Sequence, residues 1–432
     1  MPLKFPSLLP FCLCAAFAAF FPVQSSPQEQ PVKALDVFNS IGVNTHITYG
    51  KPYAYLGNFN ALIARLQQAH IVHIRDSEWG NGANTQPWVT SMFHQLADAG
   101  IRTDLVIVSN NWNQTESQLQ SDLKLYPGIE AIEAPNECDL NCNSKGGVVD
   151  WPQRVTAKLQ IMKPAAAALG LPVIGPSLTQ PSSFARLGNI ASYLTYGNIH
   201  NYNGNRNPET TGWGGGVDSE GKGFGSIDWN RNRAHQYAPN LPVIATEIGY
   251  QTGSKKGTIP ESVEGTYTPR LFLASFKRGI VRTYYYEMID QPNGWSSYGL
   301  LHLDLSPKPA YLAIQNLQNI LQDTTDKFTL KPVSYTLSGD ASNLESLLVQ
   351  KSGGEYWLFV WLNGSIWDVN RNVAVPVSPR SLKLELGSGM TVTNAEQFKP
   401  DGTVAKSSPK TSSYTFQASS DTLALQIVPA QR

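Results

Sequence analysis

Between residues 42 and 321 the chain alternates, eight times over, a short apolar run of strand character with a stretch of helical spacing. Strands are expected at 42–48 (GVNTHIT), 71–75 (IVHIR), 102–109, 129–137, 172–178, 198–202 (NIHNY), 241–247 and 280–288. Helices are expected at 56–70, where Leu62, Leu66 and Ala69 share a face, and then at 87–99, 115–126, 151–169, 182–193, 227–237, 268–278 and 309–321. Thr115 supplies a capping hydroxyl, and Gly100 and Gly170 each stop a helix. Repeated strand–helix units make a parallel sheet, and eight of them are what a closed (β/α)8 TIM barrel requires. The competing architecture, an open doubly wound sheet, wants a Gly-rich phosphate loop after its first strand, and none follows residue 48. The expected fold class is therefore α/β, with the barrel over residues 35–325.

From about residue 328 the pattern changes. Short alternating or apolar runs at 346–350, 356–362, 382–386, 414–417 and 422–428 are separated by turn clusters such as Ser352-Gly353-Gly354 and Asn363-Gly364-Ser365. These predict a C-terminal all-β sandwich over 328–432. No low-complexity linker separates the two, so they are expected to pack together. Trp357, Trp361 and Trp367 could bind glycan if exposed; the favoured reading has the sandwich capping the barrel.

Charged residues are sparse at 15 %, and Lys+Arg and Asp+Glu both number 33, so no charge excess points to nucleic acid. Lys4, the apolar run 8–21 and the polar run 24–30 read as an export signal, assigned to residues 1–27. The apolar run is short for a membrane span. The mature chain is thus expected to be secreted or periplasmic, monomeric, and without stable membrane association. Cys12 and Cys14 would leave with the signal. Cys138 and Cys142 remain, and a close pair in an exported protein suggests one small disulfide loop. A metal site would need further Cys or His ligands nearby, and none lies in 128–150. No metal and no cofactor are expected.

In a barrel of this kind chemistry sits at the C-terminal ends of the strands. The fourth strand, in IEAIEAPNECDLNC (129–142), ends in Asn136-Glu137, and the seventh, in LPVIATEIGY (241–250), ends in Glu247. Ends four and seven lie across the barrel mouth from each other. Cleaving a glycosidic bond with retention needs two carboxyl groups about 5–5.5 Å apart. One attacks as a carboxylate; the other gives a proton to the leaving oxygen and then activates water. Aromatics that follow strands (Trp79, Trp112, Trp213, Tyr250, Trp295 and Tyr298) suit stacking on sugar rings. The loop 203–225 is long and Gly-rich, as a mobile substrate loop would be.

These strand ends resemble the signature of glycoside hydrolase clan A, in a family-39-like or family-5-like form. IEAPNE matches a pattern with a Glu, here Glu133, four residues before the acid, and Thr246-Glu247-Ile248-Gly249-Tyr250 resembles the clan's nucleophile strand. The similarity spans roughly residues 35–325. It implies Glu137 as acid/base and Glu247 as nucleophile. It implies that Asn136 bonds the sugar hydroxyl beside the anomeric carbon, that Arg75 holds Glu247 as a carboxylate, and that Tyr202 orients it. His200 would line the same pocket and His46 its floor; Trp112, Trp213 and Trp295 are the aromatic candidates for substrate binding. The chain departs from the pattern at Pro135, where Trp is usual, at Cys138, where Pro is frequent, and in Tyr284-Tyr285-Tyr286-Glu287-Met288, where strand eight usually ends in another aromatic pattern. Arg75 and Glu133 also read as a structural ion pair, and Glu287 and Asp290 as solvated loop charges. The function expected is a secreted retaining glycoside hydrolase that cleaves β-glycosidic bonds of an oligo- or polysaccharide by double displacement. A non-catalytic carbohydrate-binding protein on the same scaffold is the alternative, and the presence of both Glu residues argues against it.

Overall fold

The computed structural model describes residues 28–49, 54–79, 86–108, 112–142, 150–292 and 297–430. The expected export signal at 1–27 and Trp295 lie outside them. Eight parallel strands form one sheet: β1 (Ile41–Asn44), β2 (His73–Ser77), β3 (Arg102–Val106), β4 (Ile129–Glu133), β5 (Val173–Ile174), β6 (Gly197–His200), β7 (Val243–Ile248) and β8 (Ile280–Tyr285). Their order is β5-β4-β3-β2-β1-β8-β7-β6. A parallel bridge between Ile174 and Tyr196, just ahead of β6, joins the two ends and closes the barrel.

The helices between the strands form because their apolar residues recur on one face. Phe59–Gln68 buries Phe59, Leu62 and Leu66, and Pro87–Asp98 buries Val89, Met92, Phe93 and Leu96. Thr115 caps the helix Glu116–Leu123 in a reciprocal box with Gln118. Ile227–Tyr237 and Pro309–Leu321 have the expected bounds. Elsewhere boundaries differ. β2 ends at Ser77 rather than 75, and β5 is two residues long because the chain turns off the sheet at Gly175-Pro176. The helix after β7 begins at Glu261, well before 268, and contains Pro269 in its interior. A proline there mimics a start signal in sequence. The region 182–193 is a single turn and a half, Ser183–Leu187, followed by a 3-10 turn, Ala191–Tyr193.

The second unit is a sandwich of two sheets. One contains β9 (Val333–Gly339), β12 (Arg380–Leu386) and β15 (Ser413–Ala418); the other contains β10 (Leu344–Gln350), β11 (Tyr356–Leu362), β13 (Met390–Phe398), β14 (Val404–Ser407) and β16 (Leu423–Pro429). The segment before the barrel also belongs to it. Gln28–Glu29 pairs with β9 and Val32–Lys33 with β10, one short strand per sheet. β11 is buried along its whole length. Tyr356, Leu358, Val360 and Leu362 face the sandwich core, whereas Trp357, Phe359 and Trp361 alternate onto the barrel's core. Burying each of these side chains contributes about 1.5–3 kcal/mol. Trp357 and Trp361 are therefore packing residues and are closed to glycan, as the capping reading of the sandwich expects.

Candidate active site

Toward the mouth, the barrel interior is polar. Asn44 on β1, Arg75 on β2, Glu133 on β4, Asn198 on β6 and Thr246 on β7 are all buried there. Arg75 is the hub. Its Nε and Nη2 donate to Glu133 at 2.7 and 2.8 Å, Nη1 donates to Asn44 Oδ1 at 2.9 Å and to Glu247 Oε1 at 2.7 Å, and Nη2 donates to Asn136 Oδ1 at 2.7 Å. Asn198 Nδ2 donates to Glu133 Oε1 at 3.0 Å, and Thr246 Oγ1 contacts the same oxygen at 3.2 Å. Burial disfavours the guanidinium charge, but the Glu133 and Glu247 carboxylates outweigh it and keep Arg75 firmly protonated. Glu133 and Arg75 thus form a buried ion pair that is also the base on which the mouth is assembled.

Two backbone irregularities lift the carboxylates above this base. Pairing of β7 with β6 slips between Ala245 and Glu247. The bulge lets the consecutive residues Thr246 and Glu247 both turn toward the barrel axis, which regular alternation forbids. After β4 the chain runs through Ala134-Pro135 to Glu137, which sits in the left-handed region at φ 47°. A non-glycine residue there is held against its preference by its surroundings. Ser177 Oγ accepts from the Glu137 amide at 3.2 Å, and the disulfide Cys138–Cys142 closes the turn that follows.

Glu247 accepts from Arg75 on Oε1 and from the Tyr202 hydroxyl on Oε2 at 3.0 Å. His200 Nδ1 is 2.9 Å from Glu137 Oε1 and 3.6 Å from Glu247 Oε2, while its Nε2 meets Thr246 Oγ1 at 3.0 Å. Carboxylate oxygens of Glu137 and Glu247 and a ring nitrogen of His200 lie within 4.8 Å of one another. Burial lowers the affinity of His200 for a proton, but Glu247 and Glu137 overcome this and raise its pKa above the usual value. Burial raises that of Glu137, yet the bond and charge of His200 hold it below the ordinary range. In the resting site a proton is therefore shared between His200 and Glu137, where an isolated acid was expected to carry it on Glu137. The same three groups have metal-ligand spacing, but both Glu247 oxygens already have donors and the Arg75 charge opposes a cation beside them.

The cleft above has a volume of about 410 Å³ and is lined by His46, Tyr49, Arg75, Asn136, Glu137, Glu247 and Tyr286 among others. His46 stacks on Tyr49 and its Nε2 lies 3.2 Å from the Tyr286 hydroxyl; burial lowers its pKa to about 4. Asp76 faces the cleft but turns its oxygens to Thr45, Ile47, Thr48 and Ser77. Trp213 is 47 % exposed beside Tyr202, donating Nε1 to the Tyr202 carbonyl at 2.8 Å. Trp112 is half-buried under the Arg154 guanidinium and is not among the described residues of the cleft. Tyr250 is fully buried, and Trp79 packs edge-on to Trp88. Glu287, read as a solvated charge, is fully buried and accepts from Tyr55 and Gln291. Asp290 pairs with buried Lys308 at 2.8 Å.

The loop 203–225 is not a loose flap over its first half. Asn203 donates to the Tyr250 hydroxyl, Asn205 to the Gly257 carbonyl, and Glu209 is buried against Arg270. Its second half is a hairpin, Gly214–Val217 with Gly223–Phe224. Sequence reading missed Asn44, Ser177, Asn198, Thr246 and Tyr286. Polar residues inside predicted strands were the available signal for Asn44, Asn198 and Thr246.

No protein-family model and no curated protein matches the sequence. Solved structures do match by shape. A family 39 glycoside hydrolase from Bacteroides cellulosilyticus WH2 superposes with a TM-score of 0.60 at 15 % identity, over 90 % of this chain and 81 % of that one. A 4-O-α-L-rhamnosyl-β-D-glucuronidase from Fusarium oxysporum 12S gives 0.55 at 15 %, over 93 % and 98 %. The catalytic domain of GH30 xylanase C from Talaromyces cellulolyticus gives 0.54 at 11 %, again over 93 % and 98 %. The chain has the fold of these glycoside hydrolases. Each superposition spans the barrel and the β-domain together. Among the described residues no helix is long and apolar enough to cross a membrane.

Proposed function

We propose that the chain is a retaining glycoside hydrolase acting on β-linked glycans, exported by the signal expected at residues 1–27. The observation that carries this reading is the approach of Glu137 and Glu247 carboxylate oxygens to within 4.8 Å of each other beneath one cleft. Inverting enzymes need room for a water and hold their carboxyl groups about 6.5–9.5 Å apart; this pair suits the closer retaining geometry. Glu247 is the nucleophile. Arg75 and Tyr202 occupy one lone-pair direction on each oxygen and fix its aim at the anomeric carbon. Glu137 is the acid/base. The proton shared with His200 Nδ1 passes through Glu137 to the leaving oxygen; the carboxylate so left takes a proton from water, which attacks the glycosyl–Glu247 ester. Asn136, held by Arg75, presents its amide nitrogen to the neighbouring sugar hydroxyl. His46 and Tyr286 form the floor, and Trp213 lies beyond Tyr202 as a stacking face. The named activities of the structural neighbours, a xylanase and a glucuronidase, put xylan-type and glucuronide substrates first in a screen.

The test is a glycan screen followed by variants with azide. Glu247→Ala with azide should form the α-glycosyl azide from a β-glycoside, and Glu137→Ala with azide the β-glycosyl azide. Each variant alone should lose about 10²–10⁴-fold or more in rate. Wild-type product that first appears as the inverted anomer by NMR would overturn the retaining assignment. Binding of glycans without cleavage would leave the carbohydrate-binding alternative.

A further inference from the structure

A second pocket, of about 270 Å³, opens between the loop after β6 and the sandwich, and nothing in the mechanism above uses it. Its walls include Arg206 and Asn207 from the barrel side and Ser365, Trp367, Asp368 and Asn370 from the other. Half-buried Trp367 is fixed by its Nε1 bond to the Thr258 carbonyl at 3.2 Å. The hairpin that carries it, Trp367–Asp368 with Val373–Ala374, is tied to the loop after β7: the Gly257 amide donates to Val369 and Asn372 Nδ2 to Ser254. An aromatic ring ringed by a guanidinium, a carboxylate and amides offers an apolar face and polar edges together. That is the surface a pyranose ring presents in complement.

A row of neighbouring residues leads from the cleft toward this pocket. Tyr202 bonds Glu247 through its hydroxyl and Trp213 through its carbonyl. Trp213 and Arg206 meet over Gly204: a Cβ there would lie 2.6 Å from Arg206 Nη1 and 3.0 Å from Trp213 Cδ1. A Cβ on Gly225 would come within 2.2 Å of Trp213 Nε1, so the chain spends two glycines to seat this indole. The ring is nevertheless 47 % exposed, braced edge-on by Phe224. Arg206, whose Nη1 donates to the Gly204 carbonyl at 3.2 Å beside Trp213, is also a wall of the second pocket.

We propose that this pocket is a distal subsite for the same glycan, so that one polysaccharide chain runs from the Glu137–Glu247 cleft over Trp213 and Arg206 to Trp367. The inference rests on the glycosidase reading and extends it: the substrate is a polymer, and the β-domain holds part of it. The test uses β-linked xylo- and gluco-oligosaccharides from dimers to octamers, with Trp367→Ala and Arg206→Ala in the full-length protein. The ratio of kcat/KM on the longest to that on the shortest substrate should fall about tenfold in each variant, as loss of one stacked or bonded sugar contact predicts. An unchanged ratio in both variants, with unchanged urea midpoints showing intact folding, overturns the subsite. A parallel binding arm separates the two readings. If wild type cleaves nothing in this panel or in the glycan screen with glucuronides, the catalytic reading fails. Gel retardation of wild type by the parent polysaccharides, lost in Trp367→Ala, would still support the pocket as a glycan site, and retardation equal in both, or absent from both, would reject it.

Discussion

Arg75 uses all five guanidinium N–H donors, on Glu133, Asn44, Glu247 and Asn136. Lysine is a single point charge and cannot reproduce that fork. Arg75→Lys should therefore lose about 3 kcal/mol or more of stability, because Glu133 stays buried with its partner weakened. It should also lower kcat by about 10²-fold through misaimed Glu247. Urea unfolding and steady-state kinetics check the two effects. The two site histidines make opposite predictions for pH. His200 has a pKa raised above 6.5 in the folded state, so its contribution is fully present below 6.5 and is lost as pH rises through the raised value. His46 is lowered from 6.5 to about 4, so its contribution is present above 6.5 and is lost as pH falls toward 4. The fall in urea midpoint as pH rises above 6.5 should shrink in His200→Gln, and the change between pH 6.5 and 4 should shrink in His46→Gln. Glu137, Glu247 and Tyr202 were legible because each stands at or just past the end of an apolar strand, and Arg75 because the apolar run 71–75 stops at it in sequence, although β2 itself continues to Ser77. Thr246 was not legible as an inward residue beside Glu247, since strict alternation assigns neighbours to opposite faces and only the bulge reverses that.

The element that most concerns the chemistry is the turn that leaves β4. It places Glu137 in a left-handed conformation and at once enters the one-turn helix Cys138–Asn141, which the disulfide closes. Asp139 adds a second anchor, accepting from the Thr179 and Gln180 amides after β5. A cross-link over so short a loop stabilises by only about 2 kcal/mol in chain-entropy terms, too little to decide whether the barrel folds. Its effect is local. Mild reduction, or Cys138→Ser with Cys142→Ser, should lower kcat several-fold while far-ultraviolet circular dichroism at ambient temperature is retained. Simultaneous loss of both signals would mean that the bridge holds the barrel and not the turn. Strand–helix alternation was readable because each apolar run has one period. The ends were not: β5 stops early at Gly175-Pro176, a local break inside the apolar run, whereas the helix from Glu261 runs through Pro269 against proline's local preference.

At the scale of the whole molecule, the sandwich is built from both sides of the barrel in sequence, because Gln28–Glu29 and Val32–Lys33 complete its sheets. Two-residue strands carry no periodicity, which is why the domain boundary looked simpler in the sequence. The junction itself is partly ionic. Arg270, on a barrel helix, pairs with Glu209 from the loop after β6, and both are fully enclosed at the side chain. Trp361 of β11 donates to Glu209 Oε1 at 2.7 Å, and Arg270 reaches the Gly364 carbonyl at 3.0 Å. One carboxylate thus joins the barrel, the sandwich and the loop that leads away from Tyr202. Removing a partner from a buried pair of this kind costs about 3–5 kcal/mol, since the remaining charge keeps its desolvation without its bond. Arg270→Ala should therefore lower the stability of both units together. The unfolding of wild type, followed by tryptophan fluorescence and by circular dichroism, should be one transition with a common midpoint, and the variant should shift that midpoint intact. Because Glu209 lies seven positions after Tyr202 on the same loop, Glu209→Gln should also raise KM more than it lowers kcat, as the wall beyond Glu247 loosens. Two separate unfolding transitions in wild type, or a variant in which only the sandwich melts early, would show that the junction is a docking contact between independent domains and that the active-site wall does not depend on it.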